Sequence, residues 1–180
     1  MDKIWIAVIF IPSILILKNM TSKNGSFLDL RKVIKNHFLL FKDCKYQYAV
    51  FYIYPVFIAA GIAYKFTPES SFMEQLNVVV SILLSALLAI MGILVSKSFN
   101  ALQENQFERA KRILTETNNA IIFDVFIGIV LIIINLVLYT VDLTNMLWGQ
   151  FLAGISYYLL IVMLLNILLI IKRLSNLSDL

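Results

Sequence analysis

Cysteine and histidine are nearly absent from this chain: it has one of each, Cys44 and His37, in 180 residues. No disulfide forms within it, and a structural zinc site, which needs about four Cys, His or carboxylate ligands, has no basis. Charge is scarce too, at 14% of residues, while 61% are hydrophobic. A soluble chain runs near half apolar and a quarter charged. A core of this size cannot hide the excess, because surface grows too fast relative to volume. Lipid has to take it up. Proline and glycine number three and six, so few points interrupt helix. No phosphate loop, dinucleotide fingerprint, His–carboxylate metal pair or nucleophile elbow is present. No cofactor and no catalysis are expected, and Cys44 reads as a free thiol.

What fills the chain is apolar helix. The expected fold is an all-α, polytopic integral membrane helix bundle over residues 1–180 as one domain, with about five spans. They lie near residues 4–20, 48–64, 76–95, 120–141 and 151–171. The first rests on the shortest apolar run. Ile4–Leu17 would make a helix of about 21 Å, against a hydrocarbon core of about 30 Å, so four spans is the alternative count. A cleaved signal peptide is its rival, but no small-x-small site follows the run and the next segment is basic. Pro55 falls near the middle of the second span and is expected to kink it.

Charge decides orientation. Of the 15 Lys and Arg, only Lys3 and Lys65 fall on one face of a five-span arrangement, and the other 13 fall on the opposite face. Cytoplasmic loops carry the basic excess. The segments 21–47, 96–119 and 172–180 are therefore expected inside, with the N-terminus out and the C-terminus cytoplasmic. Within 21–47, Ser26 with Asp29 makes a capping box. Phe27, Leu30, Ile34, Phe38 and Phe41 then recur at helical spacing. Arg31, Lys32, Lys35, Lys42 and Lys45 lie mainly off that face. This is a basic amphipathic juxtamembrane helix, and those five cations are expected to touch anionic lipid heads. Nucleic-acid binding has no basic tail or soluble domain to carry it.

Two sets of intramembrane residues stand out. Ser81, Ser85, Ala89 and Gly92 share one face of the third span, as a helix-packing seam. A serine-lined pore is the other reading. In the fourth span Asp124 and Asn135 stand eleven residues apart, close to three turns, with Gly128 between them. The stripe continues back through Thr117, Leu114, Ala110 and Phe107. A carboxylate at the depth of Asp124 is costly and usually faces a bundle interior or water. The rival reading pairs it at the interface with Arg112, Lys172 or Arg173. Asn166 of the fifth span is expected in the same layer, as interhelical glue. Asn19, Asn24 and Asn176 open glycosylation-type triplets on the expected cytoplasmic side, as chance matches.

Arg31 and His37 stand at an Arg-x5-His spacing, which is similar to the short signature of HEPN-type ribonucleases. The soluble helical bundle around that signature is missing here, and His37 reads better as an interfacial residue. The overall layout resembles the small multipass membrane components of bacterial anti-phage defence systems. It does so through its short spans, its basic juxtamembrane helix and the Glu116-Thr-Asn-Asn-Ala120 approach to the fourth span. That resemblance implies a homo-oligomer, a cytosolic protein partner, and membrane leakage or depolarisation as the output. It assigns no functional residue. Besides such a sensing or executing role, two alternatives stand: a small-solute transporter or channel subunit, and a membrane-anchoring scaffold.

Overall fold

The computed structural model describes residues 30–39, 41, 45–66, 69–96, 104–141 and 147–178. Among them every regular element is helical and there is no strand. Helix α1 is Leu30–Leu39. Helix α2 is a rod over 45–65, built from a turn at Lys45–Tyr48, a wider π turn at Ala49–Ile53 and an α-helix at Tyr54–Lys65. Helices α3 (Ser70–Ser96), α4 (Glu104–Val141) and α5 (Leu147–Ser178) follow. Four helices, α2 to α5, are long and apolar enough to cross a membrane. The first expected span, the Ser26 capping box, Phe27 and Lys42 lie outside the described residues.

The spans outrun their apolar cores. The 38 residues of α4 rise about 57 Å, well beyond a hydrocarbon core of about 30 Å. No Pro or Gly interrupts 96–119, so the polar approach to the span stays helical. In the same way α3 begins at Ser70 and α5 runs on to Ser178.

The helices pack as a row in the order α2, α5, α4, α3, with α1 laid against α4. Helix α4 sits inside. Its Ala110, Thr117, Ala120, Ile121, Asp124, Leu131 and Asn135 are all buried. Helix α5 meets it with Ala153, Ser156, Met163, Asn166 and Ile170, which recur every three to seven residues along one face. Helix α3 contributes Met73, Leu76, Val80, Leu87 and Leu94. At one point α3 and α4 come very close: a Cβ placed on Gly128 would stand 2.5 Å from Leu84 Cδ2. Glycine there admits the Leu84 side chain.

Pro55 acts on α2, in a way that differs from a simple mid-span kink. It stands in the first turn of the α-helix at Tyr54–Lys65, directly after the π turn. The Tyr54 N–H bonds the Ala49 carbonyl, five residues back. Proline has no N–H to donate and its ring collides with the carbonyl four residues earlier. Widening the preceding turn relieves that collision, and π turns of this kind recur at functional sites. The turn also swings Tyr52 into the protein, where it is buried.

Candidate functional site: a buried polar cluster under helix α1

Asp124 is fully buried in α4, as the cost of exposing a carboxylate to lipid requires. It has no ion pair. Arg112 and Arg173 both turn to Glu116, at 2.9 and 3.6 Å, and Lys172 is exposed. Among the described residues the interfacial pairing weighed for Asp124 is not made, and the charge of Arg173 acts on the adjacent His37 instead. Asn166 of α5 is its polar neighbour, as the shared layer anticipated, and Asn166 is equally the neighbour of His37.

His37 corrects the sequence reading most sharply. It turns inward and is fully buried in the bundle. Its ring stacks on Phe123 of α4, with centroids 3.9 Å apart and planes 11° from parallel. Phe41 and Tyr52 meet it edge-on at 5.6 and 6.4 Å. Helix α1 has turned relative to its phenylalanine stripe. Val33, Ile34, His37 and Phe41 face the bundle, while Phe38 keeps 38% of its surface exposed. Phe38 still leans on Tyr52, with ring centroids 4.8 Å apart. Burial first, and the nearby charge of Arg173 second, hold His37 down at about 4, with Asn166 pulling the other way. The imidazole is neutral at physiological pH.

Four segments thus converge: His37 from α1, Tyr52 from the π turn, Asp124 from α4 and Asn166 from α5. They are close enough to influence one another: Asn166 acts on both His37 and Asp124, and Asp124 on Tyr52. Both His37 nitrogens, the Tyr52 hydroxyl, both Asp124 oxygens and both Asn166 side-chain atoms are buried without a hydrogen-bond partner. Buried polar atoms are nearly always satisfied. A knot of seven that are not, around a carboxylate, is where chemistry on this chain concentrates.

The other residues singled out from the sequence fall elsewhere. Asn135 shares the buried face of α4 but lies about 16 Å further along the axis. There it accepts a hydrogen bond at Oδ1 from the Ser156 hydroxyl of α5, a tie between helices. Gly128 is the notch that receives Leu84. Ser81, Ser85, Ala89 and Gly92 are exposed among the described residues. The Ser81 and Ser85 hydroxyls bond back to the Asn77 and Ser81 carbonyls. The seam inside the chain is instead the Leu76, Val80, Leu87, Leu94 face. Lys35 is exposed. Arg31, Lys32 and Lys45 belong to helices α1 and α2. Among the described residues no group of His, Cys, Asp and Glu is placed to hold a metal ion.

Sequence reasoning passed over Tyr52 and Phe123. One signal was available for Tyr52: it stands three residues before Pro55 in an aromatic run. Phe123 had none beyond its place next to Asp124. Compared with protein-family models, with curated proteins and with solved structures, the chain matches none.

Proposed function

We propose that this chain is an oligomeric bacterial inner-membrane protein that senses or executes a membrane response together with a cytosolic partner, with helix α1 as its moving part. One observation carries the reading: the short helix α1 is keyed by a buried ring, His37 on Phe123, onto the cluster around Asp124. Helix α1 has only 10 residues. Its hold on the bundle rests on a few side chains, and Lys35 faces outward. A partner or an anionic lipid surface that competes for α1 draws His37 off Phe123. Asp124, the carboxylate buried in α4, is then opened toward the cytoplasmic face. A carboxylate at that mouth favours cations. This agrees with the leakage or depolarisation implied by the layout, with the N-terminus outside and the C-terminus inside. Enzymatic chemistry, cofactors and direct nucleic-acid contact have no part in it.

The runner-up, a small-solute transporter or channel subunit, is favoured by a different observation. The Pro55 π turn widens α2 near a buried carboxylate, and irregular helices often frame substrate sites in transporters. The anchoring scaffold is the third reading.

Liposome flux separates them. Phe123→Ala removes the platform for His37 and is expected to leak cations without any trigger, at unchanged assembly size. Tight liposomes from a correctly assembled Phe123→Ala protein would move the scaffold reading ahead. Saturable uptake of a solute by the wild-type protein would move the transporter reading ahead.

A further inference from the structure

Helices α2 and α3 follow one another in sequence but stand apart in the row, where α2 packs on α5 and α3 on α4. Residues 66–69 join them. At that connection lies a pocket of about 390 Å³, lined among the described residues by Ile62, Phe66, Glu69, Phe72 and Tyr157. Pockets of this size accept small ligands. Backbone bonds fix its rim. The Phe66 N–H donates to the Ile62 carbonyl at 2.9 Å, and the Met73 N–H donates to the Glu69 carbonyl at 3.2 Å. The Phe72 and Tyr157 rings stand with centroids 6.4 Å apart. Tyr157 precedes Asn166 by nine residues on α5, so the pocket lies about 14 Å along the bundle from the cluster under α1.

Two charges of opposite sign accompany the rings. Glu69 lines the pocket, and the Lys65 ammonium stands beside it, 6.0 Å from the centroid of the Phe66 ring. Among the described residues neither Glu69 nor Lys65 makes an ion pair, and both are exposed. A carboxylate accepts hydrogen bonds from an ammonium, and aromatic faces attract the same charge. A lysine binds phosphate as a point charge. A ligand of one sign uses only one of these groups, whereas a zwitterion uses both.

Depth selects among zwitterions. Tyr64 and Trp148 are exposed at the same end of α2 and α5, where Tyr and Trp mark the level of the lipid heads. Further along the spans Phe57 and Ile58 of α2 and Val78 and Val79 of α3 are exposed, an apolar surface for acyl chains.

We propose that this pocket binds the head of one zwitterionic phospholipid that carries a primary ammonium. Glu69 takes the ammonium among the Phe66, Phe72 and Tyr157 rings, and Lys65 takes the phosphate. The site stands apart from the membrane response proposed above, because it requires neither conduction nor movement of α1.

The test is a lipid titration of the intact chain in detergent, read by the thermal midpoint, with phosphatidylethanolamine or phosphatidylglycerol as the added lipid. Both carry a phosphate and acyl chains, and only the first carries an ammonium. The wild-type protein is expected to half-saturate with phosphatidylethanolamine at about one tenth of the phosphatidylglycerol concentration, the scale of one charged hydrogen bond. Glu69→Gln should erase that preference. Lys65→Met should weaken binding of both lipids and keep the preference. Ser81→Ala, which lines no part of this pocket, should leave both curves as they are. Free phosphoethanolamine, which has no chains, should bind far more weakly than the lipid. Equal curves for the two lipids in the wild-type protein, or a preference that survives Glu69→Gln, would overturn the site. Free phosphoethanolamine that binds as tightly as the lipid would overturn the assignment to a membrane lipid. Because this assay reads lipid binding in micelles, its failure leaves the liposome result standing, and the reverse holds too.

Discussion

His37 of α1 lies flat on Phe123 of α4, with ring centroids 3.9 Å apart and planes 11° from parallel. The contact joins a helix outside the spans to the residue immediately before the buried carboxylate Asp124. An aromatic pair of this kind adds about 0.5–1.5 kcal/mol beyond its buried area. That is enough to bias where α1 sits and too little to make its position permanent.

Docking of α1 should depend on pH. His37 is held at about 4 in the folded chain against an ordinary value of 6.5. The unfolded or undocked ring therefore binds a proton more readily than the docked ring. The stabilisation is fully present above about 6.5 and is lost as pH falls toward 4. Among the described residues Arg173 and Asn166 of α5 act on the ring, and Tyr52 of α2 meets it edge-on. Histidine NMR on the intact chain reads a single imidazole. The expected midpoint lies well below 6.5, and a midpoint near 6.5 would show a solvated ring and an undocked helix.

The Gly128 notch predicts a suppressor pair. A methyl at Gly128 meets Leu84 Cδ2 at 2.5 Å and Cγ at 3.0 Å, so Leu84 has to move. Gly128→Ala should destabilise by about 1–3 kcal/mol. Adding Leu84→Ala should return part of that loss, because the two sites are in contact. Simple additivity in a thermal-unfolding cycle would separate the two positions.

The small-residue face of α3 should affect assembly and leave the single chain alone. Ser85 and Gly92 are exposed, and a Cβ at Gly92 meets nothing within 4 Å. Ser85→Leu and Gly92→Leu should therefore keep the helical content and thermal midpoint of the chain. If copies associate through this face, both variants shrink the assembly measured in detergent. An assembly of wild-type size in both variants would place the contact between copies elsewhere.

Orientation is open to a chemical check. Cys44 is the sole thiol and belongs to the basic 21–47 segment. A membrane-impermeant maleimide should spare it in intact cells and label it after permeabilisation. Labelling of intact cells would invert the topology.

The membrane character, four of the spans and the basic asymmetry are written in local composition. Hydropathy averaged over some 20 residues has to match the bilayer whatever the helices pack against. Where the helices start and stop was less visible, since polar, Pro-free ends such as Glu104–Asn119 stay helical beyond the apolar core. The face carrying Asp124 and Asn135 was legible because helical spacing alone puts them together, and both are buried. Their partners were decided in three dimensions. Asn135 found Ser156 across 21 residues of chain, and Asp124 came to lie among Tyr52, His37 and Asn166. The inner side of α1 shows why. Its phenylalanine stripe and its histidine compete for the bundle, and a ten-residue helix has no strong preference of its own. Phe123 and the inward-turned Tyr52 supply the ring surfaces that settle the rotation. Helical period and charge count follow from neighbours in sequence, whereas the burial of His37 follows from residues 15 to 136 positions away, which only packing brings within reach.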